Sequence, residues 1–140
     1  MAGMAFTHAG LGLCHAMAHA LGGKFHVPHG RLNAILLPAV IGFNVQTSGV
    51  KYSEFARCAG IGGSVETIAV RNLRGNLARL RRELGLPETL AEAGVDPAAV
   101  RAASAEIVEA ALADPCCASN PRTVDAGAVA QILAEVTGHG

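Results

Sequence analysis

Tryptophan is absent from these 140 residues, and aromatic side chains make up only 4% of them. The core must therefore be built from alanine, leucine and valine, which favours closely packed helices or burial against a larger neighbour. Charge is also scarce, at 16%, and it balances: eleven Lys plus Arg against eleven Asp plus Glu. A nucleic-acid-binding surface calls for a basic excess gathered on one face. The single basic cluster, Arg71, Arg74, Arg79, Arg81 and Arg82, scatters around a helix axis among leucines and reads as solvated surface. No Cys-x-x-Cys pair occurs, which argues against a thiolate zinc site. Cys14, Cys58 and the adjacent Cys116 and Cys117 do not form the framework of a small secreted protein, so reduced thiols in the cytoplasm are the simplest expectation. The apolar start lacks a basic lead-in and is interrupted by His8, His15 and His19, which fits neither a signal peptide nor a spanning helix.

Runs of alternating β-branched residues are missing as well, and all-α is the expected class. Residues 1–21 read as one helix buried all round, stopped by Gly22 and Gly23. A loop over residues 24–28 leads into an apolar run over 31–43, where Pro38 predicts a kink or break. Residues 44–50 read as a polar turn and 52–59 as a short helix. Ser64 is the expected cap of the next helix, whose apolar positions 65, 68, 69, 73, 77, 80 and 84 follow the 3.6-residue period. Asp96 and Pro97 start another helix that runs to Leu112 and stops near Asp114 and Pro115. Asp125 caps a last one ending near Val136. The whole, residues 1–140, reads as a single helical domain. The first residues have the character of mid-helix sequence, so a part of something larger is expected.

The dense chemistry is histidine. Four of the six histidines, His15, His19, His26 and His29, fall within fifteen residues in apolar surroundings. His15 and His19 are four apart and share a helix face. Ala16 stands where a His-Glu-x-x-His metalloprotease needs its general base, which excludes that chemistry. Pairing His15 with His29 past the turn is the alternative, since neutral imidazoles suit iron or zinc. The residues alone leave open whether this cluster holds a metal or consists of buried histidines satisfied by backbone carbonyls.

Residues 2–38 carry Gly12-Leu13-Cys14-His15-Ala16-Met17-Ala18-His19 and His26-Val27-Pro28-His29-Gly30. This run resembles the second signature of the iron-containing alcohol dehydrogenases. Leu84-Gly85-Leu86-Pro87, Ala93-Gly94-Val95-Asp96 and Asn120-Pro121-Arg122 also recur in that family. Residues 30–41 are most similar to the propanol and ethanol dehydrogenases of propanediol and ethanolamine utilisation. The resemblance implies most of a C-terminal helical domain, without the N-terminal α/β domain that binds nicotinamide, and no Gly-x-Gly-x-x-Gly segment occurs here. It implies that His15 and His29 are two of four ligands to Fe2+ or Zn2+, the upstream aspartate and first histidine being absent. His19 matches a histidine near the nicotinamide, a candidate for cofactor contact and proton relay. Phe6 and Cys116 match the wall of the substrate pocket, although Cys116 also reads as a small buried hydrophobe. His8 stands where the family has Asn or a small polar residue and is not recruited as a ligand.

The function so implied is the C-terminal portion of an NAD(H)-linked, metal-dependent alcohol dehydrogenase acting on a short-chain alcohol or aldehyde. Alone, it is expected to be inert, to bind metal weakly and to self-associate into a homo-oligomer. Its expected partner is the missing nucleotide-binding domain or a split subunit, with no nucleic acid or membrane. Its expected location is the cytoplasm or a bacterial microcompartment. The rivals are a helical interaction module that has lost catalysis and a small metal-binding protein.

Overall fold

The computed structural model describes residues 1–138, except the side chain of Ala2. It is helical, with no strand among the described residues. The helices are α1 (Ala2–Ala9), α2 (Leu13–Phe25), α3 (His29–Cys58), α4 (Glu66–Glu83), α5 (Pro97–Ala102), α6 (Ser104–Ala113) and α7 (Ala126–Thr137), with a 3₁₀ turn over Pro115–Ser119. No helix among the described residues is long and apolar enough to cross a membrane. All four cysteines are free.

The main core lies where α2 meets α3, α6 and α7. Leu13, Met17 and Leu21 from α2 pack with Leu32, Ile35, Leu36, Ile107, Val129 and Leu133, all 3% exposed or less. Burying each such side chain contributes about 1.5–3 kcal/mol, and this aliphatic core takes the place of the missing aromatics.

The expected single helix over residues 1–21 is two. Gly10 and Gly12 have φ of 79° and 72°, and a Cβ on Gly10 would lie 2.3 Å from the side chain of Ser119. The chain bends there because the start of α2 is capped from 107 residues away: Gly12 N–H donates to Ser119 Oγ and Leu13 N–H to Asn120 Oδ1, both at 3.2 Å. These side chains take two donors that a helix start leaves unpaired. Nor is the first stretch buried, since every described residue of Met1–Gly10 is exposed.

Helix α3 runs unbroken through both Pro38 and the expected polar turn at 44–50. Proline lacks the N–H that would pair with the Ala34 carbonyl. The Arg81 guanidinium donates to that carbonyl instead, at 3.4 Å. Arg81 is therefore no solvated surface residue; its side chain is 11% exposed and also pairs with Glu88. Polar residues here sit in the helix with partners of their own, of which only the Asn44–Asn120 pair reaches across the fold. Asn44 pairs with Asn120, Thr47 Oγ1 donates to the Asn44 carbonyl, and Ser53 Oγ donates to that of Val50. Tertiary contacts override a local preference for turns.

The start of α4 is Glu66 rather than a helix capped by Ser64; Val65 is the N-cap and offers no side-chain bond. The expected helix from Asp96 to Leu112 is split at Ala103, which has φ −92° and ψ 2°. The Asp96 and Asp125 caps form as the sequence implies, accepting from Ala98 N–H at 2.9 Å and Ala128 N–H at 2.8 Å. On α4, Ala69 and Leu73 are buried with Ala56 of α3, while Leu80 and Leu84 remain at least half exposed.

The turn before α4 needs glycine at Gly63. Its φ is 144°, and a Cβ would sit 2.5 Å from the backbone N and Cα of Ala69. Gly63→Ala is expected to destabilise the fold by more than about 2 kcal/mol, from backbone strain and displacement of α4. Gly60→Ala, at φ 70° with open space around it, should cost only the strain, about 1 kcal/mol. Urea midpoints compare the two variants, and equal midpoints would contradict this packing.

Candidate metal centre

His15 and His19 lie one turn apart on α2, which the bulk of the core holds in place. The expected stop at Gly22 and Gly23 is displaced. Helix α2 continues to Phe25, and His26 is the left-handed residue that ends it, at φ 56°, its N–H donating to the Gly22 carbonyl. Gly22 serves packing instead: a Cβ there would meet Leu32 of α3 at 3.4 Å. Val27, buried in the core, anchors the reversal, and Pro28 is the N-cap of α3. This hairpin brings His29, the first residue of α3, back against α2.

Three imidazoles thus meet. Ring centroids are 5.2 Å apart for His15 and His29, 5.2 Å for His19 and His29, and 6.3 Å for His15 and His19. His26 does not join them and is exposed, as is His8 on α1. Burial lowers the pKa of His15, and the neighbouring His29 and His19 lower it further; the Leu11 carbonyl and Asp114 pull the other way. The imidazole is thereby kept neutral. His15 Nδ1 is buried without a hydrogen-bond partner. His29 Nε2 faces the Asn33 amide nitrogen at 2.8 Å, while Asn33 Oδ1 faces the buried Cys14 thiol at 3.5 Å. That thiol is pushed up to about 12 by burial and stays protonated, so Asn33 turns its amide N–H groups toward His29.

One neighbour escaped the sequence reading, in which Asp114 only stopped a helix. Its Oδ2 lies 2.8 Å from His19 Nδ1, and its Oδ1 accepts the Cys116 N–H at 2.8 Å. Burial pushes the Asp114 carboxyl up, but the Cys116 N–H, His19 and the Cys116 thiol outweigh it and hold the group below its usual range. Donor atoms of His19, Asp114 and Cys116 lie within 4.8 Å of one another. Its place before Pro115 signals only the N-cap bond to the Cys116 N–H, not the bond to His19.

Cys116 is half-buried beside this carboxylate, and burial, then Asp114, raises its pKa. It is a protonated thiol rather than an inert core residue. Phe6 stands apart on α1, 50% exposed.

The donor chemistry fits a first-row divalent cation. Imidazole nitrogens, one of them buried without a partner on His15, are what iron or zinc accepts.

Residues 1–137 match the C-terminal portion of the Fe-containing alcohol dehydrogenase family. The chain belongs to that family. It is 40% identical over 125 residues to an NADPH-dependent butanol dehydrogenase of Clostridium saccharobutylicum, an overlap covering 89% of this chain and 32% of the relative. It is 40% identical over 141 residues to a 1-propanol dehydrogenase, PduQ, of Citrobacter freundii, covering 97% of this chain and 38% of the relative. Among solved structures it superposes on an alcohol dehydrogenase from Oenococcus oeni with a TM-score of 0.85 and 33% identity, over 96% of this chain and 35% of the other. The chain thus spans about a third of the length of these relatives. The expected all-helical C-terminal domain of an iron-dependent alcohol dehydrogenase is what the fold and the match show.

Proposed function

We propose that this chain contributes half of the metal centre of a nicotinamide-linked alcohol dehydrogenase that interconverts a short-chain alcohol and its aldehyde. His15 and His29 would hold the metal, Fe2+ or Zn2+, together with an acidic residue and a histidine outside this chain. The observation that carries this reading is the hairpin that brings the His15, His19 and His29 rings within 5.2–6.3 Å of one another, with His15 desolvated among them. A bound divalent ion polarises an alcohol oxygen and lowers its pKa.

The rest falls to side chains. His15, desolvated and neutral, keeps its lone pair available at neutral pH. Asn33, one turn along α3, engages His29 Nε2 in the metal-free chain and would have to release that lone pair for His29 to hold a metal. The His19 side chain is 44% exposed and is suited to carry a proton between the reacting oxygen and solvent. Cys116, close to His19 and protonated, offers a small, weakly polar wall to a substrate. Phe6 is assigned to the same wall through the family resemblance. Because α1 is exposed, that role requires the adjoining portion of the enzyme to cover it.

Nicotinamide, NAD(H) or its phosphate, would bind outside this chain, where a hydride acceptor can be positioned. The isolated chain is accordingly expected to show no turnover with primary alcohols, nicotinamide and Fe2+. Turnover by the isolated chain would overturn the division of labour proposed here.

A further inference from the structure

We propose that Asp114 is the positioning residue for His19, holding its proton on Nδ1 and leaving Nε2 bare. The inference rests on the reading of His19 as proton carrier for its purpose, and on geometry alone for its substance.

Asp114 divides its two oxygens between two tasks. Oδ1 caps the 3₁₀ turn through the Cys116 N–H, and Oδ2 meets His19 Nδ1, 95 residues away in sequence, each at 2.8 Å. An ionised carboxylate only accepts hydrogen bonds, so the nitrogen facing it must carry the hydrogen. A neutral imidazole has one N–H, and the other nitrogen is then an acceptor. The His29 ring, 5.2 Å away and inclined by 20°, stacks on the face of His19 and sets the plane of the ring. Turning the ring over within that plane would place a carbon against the carboxylate, so edge and face together select one orientation.

Cys116 does not compete for this role. Its Sγ lies within 4.8 Å of the His19 and Asp114 donor atoms, but it is the backbone N–H of Cys116 that bonds the carboxylate. Asp114 thus joins two donors, the His19 ring and the Cys116 N–H. The bond also ties α2 to the corner after α6, a junction reinforced by the Lys24–Glu106 pair. A proton carrier set this way accepts at Nε2 while the carboxylate stabilises the imidazolium that forms, the division of roles seen in carboxylate–histidine pairs generally.

Asp114→Asn gives a sharp test. One oxygen remains in the variant, and the Cys116 N–H claims it. The amide –NH2 then faces His19 Nδ1 and donates to it, so the ring proton must move to Nε2. Imidazole nitrogen NMR of the full chain at about pH 8, where an unperturbed histidine is neutral, reads this directly. The His19 signals are assigned by their loss in His19→Gln. The expected result is a single Nδ1–H tautomer for His19 in the unaltered chain and its inversion to Nε2–H in Asp114→Asn. An Nε2–H or mixed tautomer in the unaltered chain overturns the proposal, whether or not the variant folds. An unchanged tautomer in the variant overturns it equally, since a merely structural carboxylate would leave the ring proton where it was. Turnover of a complete enzyme is a separate readout: its absence with the correct tautomer counts against the relay, not against the role of Asp114.

Discussion

Replacing His15 with alanine is expected to remove divalent-cation binding by this chain, and His29→Ala should do the same. His8→Ala and His26→Ala should leave binding unchanged. The first pair has ring centroids 5.2 Å apart, whereas His8 lies on α1 and His26, at the turn of the hairpin, does not join the ring cluster. Loss of residues that merely orient ligands costs about 10–100-fold in metal affinity, and loss of a ligand should exceed that. Binding by the unaltered chain will itself be weak, because two imidazoles and open solvent make an incomplete set. Calorimetry with Zn2+, or with Fe2+ under anaerobic conditions, measures the four variants side by side. The informative control is Cys116→Ser. His19, Asp114 and Cys116 form the other group of donors in this region, with atoms within 4.8 Å. Binding that survives His15→Ala but disappears in Cys116→Ser would move the site to that group.

Asn120→Ala should cost about 3–5 kcal/mol, since it leaves several buried groups unpaired at about 1–3 kcal/mol each. The carboxamide accepts from Leu13 N–H at 3.2 Å and from Asn44 Nδ2 at 3.0 Å. It donates to Asn44 Oδ1 at 2.8 Å and to the Arg122 carbonyl at 2.7 Å. Asn44 is 3% exposed, so water cannot replace what Asn120 provides. A loss of this size is a large share of the roughly 5–15 kcal/mol that holds a domain folded. The double variant Asn44→Leu, Asn120→Leu should regain part of it, because it removes both carboxamides together and leaves only the Leu13 N–H and the Arg122 carbonyl without their partner. Denaturant midpoints measure all three proteins. A shift under 1 kcal/mol in Asn120→Ala, about what one exposed bond contributes, would show that the amide pair does not fasten α2 to α3.

The same asparagines show how far the sequence could be read. The helical class and the helix starts at Asp96 and Asp125 were legible because each depends on local spacing, whereas the pairing of His15 with His29 came from the family resemblance. Asn44 read as a turn residue because nothing local reveals a partner 76 residues away. Pro38 predicted a break because the compensating Arg81 guanidinium lies 47 residues downstream. Gly22 and Gly23 looked like a helix stop, although a glycine can equally serve close helix packing, as Gly22 does against Leu32. Asp114 was overlooked for the same reason as Asn120. Its role is a bond across the fold to His19, and spacing along the chain carries no trace of it. Short-range rules found the histidine-rich hairpin, and the bonds across the fold lay beyond them.

Turnover by this chain paired with the N-terminal two-thirds of a relative, such as the butanol dehydrogenase, is the most direct test that this domain supplies half of an alcohol dehydrogenase's metal centre. The two pieces would be co-expressed, purified as a complex and loaded with Fe2+, and nicotinamide reduction would be followed with a short primary alcohol. The expected result is metal-dependent turnover that falls at least about 100-fold in His15→Ala, at the upper end of what losing even an indirect ligand contact costs. A stable, metal-loaded complex without turnover, or turnover indifferent to His15 and His29, would contradict it.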